Sequence, residues 1–246
     1  MIYPVSNPKG VLVWLHGDGA YELSHPDSEL YLSGKLGVKK VAKDKNLTLI
    51  VPKTPADDYT WWKKGEENSK YLIELISSIP NHDHLWIGSF SGGSEMTTYW
   101  LIDQLPMLNV KEGGAVLFGG GGSPKTEGIA NHVKKDEIVS GTFPLTWIVG
   151  ENDYGLQTED DPFSAIETSK EGQLFYKKQG WKTERKELKG YEHVLSKDGE
   201  GLYGYYLKEY INKNNIIEWD YEIFLIKRNF CPTSLCHFML RVFSIS

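Results

Sequence analysis

The sequence predicts an α/β fold, a mostly parallel central sheet with helices on both faces. Three observations predict it. Short apolar runs alternate with helical stretches along most of the chain. The runs are apolar throughout rather than every second residue, as strands covered on both faces are. Each run also ends in a cluster of turn residues, which gathers those clusters at the carboxyl edge of the sheet, where such folds bind ligands.

Taken in order, Val11–Leu15 is a buried strand stopped by His16-Gly17-Asp18-Gly19. Leu47–Val51 is a second, stopped by Pro52, and Leu85–Gly88 a third, ending at Ser89-Phe90-Ser91-Gly92-Gly93. Ala115–Phe118 runs into Gly119–Gly122, and Leu145–Val149 into Gly150-Glu151-Asn152-Asp153. Thr183–Leu188 is mostly charged, as an exposed edge strand is, and leads to Gly190-Tyr191-Glu192-His193. Helices are expected over Ser69–Ile79, Ser94–Leu105, Phe163–Gln179 and Leu202–Ile211; the first carries Tyr71, Leu72, Leu75, Ile76 and Ile79 on one stripe.

Composition narrows the function. The 246 residues carry 27 Lys and Arg against 33 Asp and Glu, a net charge of −6 that disfavours nucleic-acid backbones. No uncharged run approaches the ~18 residues of a membrane span. The start of the chain lacks the basic and apolar regions of a signal peptide, so a cytoplasmic protein is expected. The two cysteines, Cys231 and Cys236, rule out a disulfide scaffold and a cysteine-rich zinc site. They lie in a tail, 216–246, that is dense in Ile, Phe and Leu without a clean period and holds two of the three arginines. It is an added element or sequence foreign to the domain, and the domain is expected to span 1–215.

Ser91 is the leading chemical candidate. A serine in a tight strand-to-helix turn is pushed out over the sheet edge, and Gly93 leaves room for strand and helix to approach. Ser89 stands where the Gly-x-Ser-x-Gly pattern has its first glycine, and it competes as nucleophile. The plain alternative is that Ser91 only caps the next helix. A serine hydroxyl needs a base, and the base an acid that fixes its tautomer. Asp153 and His193 both follow strands and are carried to the same edge, in the order Ser, Asp, His that this architecture uses. Taken singly, Asp153 reads as a turn aspartate and His193 as a surface histidine. The amides of Asp18 and Gly92 are the natural pair of oxyanion donors, and His16 reads as a strand-end scaffold residue. Tyr59, Trp61, Trp62 and Tyr154 are candidate walls of a substrate pocket. Gly119–Thr126 is not a phosphate loop, because Pro124 precedes Lys125 where that motif needs glycine. Glu159-Asp160-Asp161 reads as a solvated helix start before Pro162, not a metal site.

The chain resembles the α/β-hydrolases, of the small single-domain serine esterase type, over about residues 9 to 211. The resemblance rests on Leu15-His16-Gly17, the Ser89–Gly93 elbow, the Gly150–Asp153 acid turn and the Gly190–His193 base loop. It departs at Ser89. It implies an N-terminus shortened by the loss or reduction of the first two strands, and the short Ser123–Pro144 crossover implies a minimal cap. It also implies a carboxylic ester hydrolase working through an acyl-enzyme on a small-molecule or polymeric ester, with no metal and no organic cofactor. A peptidase, a thioesterase, an acyltransferase or a non-catalytic binding protein are alternatives on the same fold.

Overall fold

The computed structural model describes residues 1–126, 128, 143–155 and 163–214. The 216–246 tail, the acidic run at 159–161 and most of the 123–144 crossover lie outside these residues. The chain divides into a compact unit, Met1–Lys208, and a second unit beginning at Glu209. Within the second, residues 209–214 are helical.

The first unit is built on a seven-stranded sheet of order β1-β3-β2-β4-β5-β6-β7. The strands are β1 (Ile2–Tyr3), β2 (Gly10–Leu15), β3 (Leu47–Ile50), β4 (His84–Phe90), β5 (Glu112–Phe118), β6 (Leu145–Gly150) and β7 (Thr183–Leu188). All neighbours run parallel except β1, which pairs antiparallel with β3 through Ile2↔Ile50 and Tyr3↔Leu49. β1 is a two-residue strand at one edge of the sheet. Every residue of β2, β3 and β6 is buried, which is why these strands read as continuous apolar runs. The charged β7 has only Leu188 buried and closes the opposite edge.

Within the first unit helices cover the sheet: α1 (Tyr21–Ser24), α2 (Val38–Asp44), α3 (Gly65–Ser77), α4 (Gly92–Met96), α5 (Ile102–Gln104), α6 (Ala165–Lys178) and a helical stretch over 203–208, with a small β8–β9 hairpin (Ser196–Lys197, Glu200–Gly201) before the last. α3 begins four residues before the expected start at Ser69, because Glu66 and Glu67 suit the positive end of its first turn. α6 starts behind Ser164, whose Oγ accepts the Glu167 N–H at 3.4 Å. The helix expected over 94–105 is instead broken: α4 passes through a π turn, Thr97–Leu101, into α5. The Tyr176 hydroxyl donates to Thr98 O, and Thr97 and Thr98 Oγ1 donate back to Gly93 O and Ser94 O at 2.9 and 3.2 Å. These inserted donors loosen the regular ladder. Among the described residues no helix is long and apolar enough to cross a membrane.

Alternation along β2 sorts the core. Val11, Val13 and Leu15 join Ile87, Leu117, Trp147, Leu72 and Met96 on one face. Trp14 faces the other way, where Phe118 and Tyr203 meet it at ring distances of 6.0 and 5.6 Å. The connection from β2 to β3 runs one way along the sheet, and from β4 onward the chain adds strands the other way. The carboxyl ends of β2 and β4 therefore flank the switch point, where open α/β sheets place their ligand crevice. The register Leu15↔Ser89 brings the His16-Gly17-Asp18 turn alongside the Ser89–Gly93 elbow.

Candidate active site

The elbow is built around a strained residue. Ser91 sits at φ 50°, ψ −122°, a conformation that costs a non-glycine residue about 1–3 kcal/mol. Its surroundings hold it there. Ser91 N–H donates to Phe118 O at 2.9 Å, and Ser94 N–H donates to Ser91 O at 2.7 Å. Ser94 Oγ ties the same turn to Ser89 O and Phe118 O at 2.9 and 3.0 Å. A Cβ on Gly93 would stand 2.5 Å from Leu15 O and 2.6 Å from His16 O, so only glycine lets α4 pass this close to β2. The two elbow serines are not equivalent. Ser89 is fully buried with its Oγ 3.2 Å from Ser94 Oγ, whereas Ser91 reaches the surface.

His193 Nε2 lies 3.0 Å from Ser91 Oγ, and His193 Nδ1 lies 2.9 and 3.0 Å from the two oxygens of Asp153. Asp153 is 1% exposed. A carboxylate only accepts, so Nδ1 carries the proton and Nε2 faces the serine as an acceptor. The loops that carry these residues are stitched together: Asn152 N–H donates to Tyr191 O at 2.9 Å and Gly190 N–H to Glu151 Oε2 at 2.9 Å. A Cβ on Gly150 would stand 2.3 Å from Glu192 O, so the glycine is what lets the loops meet. The His193 ring lies between Phe90 (4.9 Å) and Phe163 (6.0 Å, edge-on).

The turn after β2 supplies the other wall. The amides of Asp18 and Gly92 donate to no acceptor among the described residues. His16 is fully buried; its Nδ1–H donates to Gly17 O at 2.7 Å and its Nε2 accepts Thr54 N–H at 3.2 Å. Glu22, a residue the sequence left unnoticed, accepts Gly17 N–H at 3.2 Å and the Trp14 indole N–H at 3.3 Å from a buried position, and burial raises its pKa. Glu95 was equally hidden: its Oε2 accepts the amides of Gly121 and Gly122, both at 3.0 Å.

The four aromatic candidates separate. Trp62 is 43% exposed and its indole N–H donates to Asp18 Oδ2 at 3.0 Å, which sets it at the rim of the site. Tyr154 is 55% exposed and adjoins Asp153. Trp61 requires correction. It is 0% exposed, its indole donates to His16 O at 3.1 Å and its ring packs on the His16 ring at 4.8 Å, so it has no face left for a substrate. Tyr59 is exposed beneath Lys53 Nζ, 4.7 Å from its ring centre. It lines a cavity of about 350 Å³ with Lys53, Thr54 and Tyr71 that includes none of Ser91, Asp153 and His193.

Burial holds the His16 pKa down at about 4, from an ordinary 6.5. Between those values the unfolded chain takes up a proton that the folded chain refuses. Stability contributed by neutral His16 is therefore complete above pH 6.5 and is lost as pH falls toward 4, by about 3 kcal/mol. The raised carboxyls of Glu22 and Asp18 act in the opposite sense, losing stability as pH rises, and are common to both proteins in a comparison. The urea midpoint of the natural chain is expected to drop more between pH 7 and 4.5 than that of His16→Gln. Equal drops would mean that His16 is not held neutral.

By sequence the chain matches no protein-family model and no curated protein. By structure it superposes on acyl-protein thioesterase 2 of Zea mays with a TM-score of 0.62 at 15% identity, covering 87% of this chain and 97% of that one. SOBER1 of Arabidopsis thaliana superposes with a TM-score of 0.59 at 18% identity, covering 83% and 98%. An uncharacterized protein from Bacillus cereus ATCC 10987 superposes with a TM-score of 0.57 at 18% identity; 87% of this chain is covered, but this chain spans only 62% of that one. In its strand order and in what it superposes on, the chain has the α/β-hydrolase fold.

Proposed function

We propose that the protein is a serine hydrolase that cleaves carboxylic esters through an acyl-enzyme. One observation carries the reading: the hydrogen-bonded line from Ser91 Oγ through His193 to buried Asp153. His193 Nε2 takes the hydroxyl proton as Ser91 Oγ attacks the carbonyl carbon. The imidazolium that forms is stabilised by Asp153. The N–H groups of Asp18 and Gly92 receive the negative charge on the carbonyl oxygen. His193 then returns the proton to the leaving alcohol, and a water activated by the same nitrogen releases the acid.

A thioester is the second substrate class, favoured by the structural likeness to the maize acyl-protein thioesterase. The same steps apply, with a thiol leaving. The test is labelling by a fluorophosphonate followed by intact-mass measurement, then a panel of esters and thioesters of increasing acyl length. Mass gain confined to Ser91, with turnover, supports the hydrolase. An unchanged mass and no turnover would leave a binding protein on a hydrolase scaffold.

A further inference from the structure

The side chain of Asp18 occupies an unusual place. A Cβ on Gly92 would stand 2.1 Å from Asp18 Oδ1 and 2.7 Å from its Cγ, so the carboxylate is laid over the residue whose N–H faces the reacting carbonyl. The Trp62 indole pins Oδ2 at 3.0 Å, while Oδ1 takes no hydrogen bond from the described residues. Among the described residues no cation pairs with it. Lys63, whose field reaches Asp18, is held by Asp58 at 2.6 Å, and Asp58 itself adds a like charge. Packing strips part of the solvent from the carboxylate and raises its pKa, while the Trp62 hydrogen bond opposes that rise.

A negative group beside a developing oxyanion raises the barrier, because both charges are of one sign in a partly desolvated cleft. The arrangement is productive when the substrate brings a positive charge of its own. We propose that Asp18 is a specificity-determining residue that selects esters carrying a cationic group within a few bonds of the scissile carbonyl. The inference rests on the hydrolase reading of Ser91 and on the amides of Asp18 and Gly92 as oxyanion donors. Asp18 thereby has two parts, its amide serving the oxyanion and its carboxylate reading the substrate. The carboxylate also accounts for glycine at 92, since any side chain there would compete with it for the same space.

The test compares matched pairs that differ by one charge. Acetylcholine is set against 3,3-dimethylbutyl acetate, and the 4-nitrophenyl ester of trimethylglycine against that of 3,3-dimethylbutanoate, at pH 8 in low salt. The first pair puts the charge in the alcohol, the second in the acyl half. Each is run on the full natural chain and on Asp18→Asn, which keeps an acceptor for Trp62; the ratio of the two proteins' preferences cancels intrinsic reactivity. The cation preference of the natural chain is expected to exceed that of Asp18→Asn by about tenfold in one pair, the size of one charge pair about 5 Å apart at an effective dielectric of about 50, between protein surface and bulk water. Asp18→Asn is also expected to gain rate on the neutral esters. Equal preferences in both proteins, with turnover intact, would overturn the selection by Asp18 and leave the hydrolase standing. No turnover by the natural chain of any pair, with Ser91 unlabelled by a fluorophosphonate, would remove the hydrolase reading and this inference with it.

Discussion

Ser91→Ala is expected to lower ester turnover by about 10⁴-fold or more, leaving what the oxyanion donors and substrate positioning supply without a nucleophile. Ser89→Ala is expected to stay within a few-fold of the natural chain. Its Oγ is sealed in the interior against Ser94 Oγ, and losing that contact costs about 1 kcal/mol of stability rather than rate. A third variant separates chemistry from folding. Ser91→Gly removes the nucleophile and also relieves a φ of 50°, so it is expected to be as inactive as Ser91→Ala but about 1 kcal/mol more stable. Thermal melts of the three proteins and rates on one chromogenic ester check all of this. An active Ser91→Ala beside a dead Ser89→Ala would place the nucleophile two residues earlier and undo the mechanism.

What the sequence made legible follows from burial. Five strands, β2 to β6, could be read because strands covered on both faces leave runs of apolar residues, and charged β7 because an edge leaves the opposite trace. Ser91, Asp153 and His193 could be placed at one edge because each comes soon after the end of a strand, β4, β6 and β7. Two-residue β1 has no period to show. α2 is only seven residues, and the π turn at Thr97–Leu101 is imposed partly by Tyr176, from far along the chain. Trp61 misled for a physical reason. Neighbouring tryptophans in a loop look alike in sequence, but 61 points inward onto His16 and 62 outward onto Asp18. Glu22 was invisible because a backbone amide and an indole bond it, and Glu95 because the Gly121 and Gly122 amides do, and such donors leave no pattern in the sequence. Likewise, nothing in the spacing of Asp18 and Gly92 shows a carboxylate laid across a glycine; that needs the register of β2 against β4.

Asp153→Asn is expected to cut kcat by about 10⁴-fold with little change in KM. The variant keeps the shape of the buried side chain, so the loss reports proton placement and not packing. In the natural chain both Asp153 oxygens accept from His193 Nδ1, which leaves Nε2 free to take the serine proton. An asparagine amide can present its N–H₂ to Nδ1 and move the imidazole proton to Nε2, where it opposes Ser91 instead of receiving from it. Only a neutral imidazole acts as base, so the rate of Asp153→Asn is compared with that of the natural chain over a range of pH. Asp153→Asn should be low across the whole range. A melting temperature near that of the natural chain would show that the fold is intact, which Asp153→Ala, opening a buried gap beside His193, need not preserve. If Asp153→Asn instead keeps a tenth or more of the natural rate while remaining folded, the carboxylate does not set the tautomer. Asp153 would then be a structural residue of the turn, whose N–H bonds Gly150 O and whose carbonyl accepts Ile166 N–H, and the orienting acid would have to be sought elsewhere around His193.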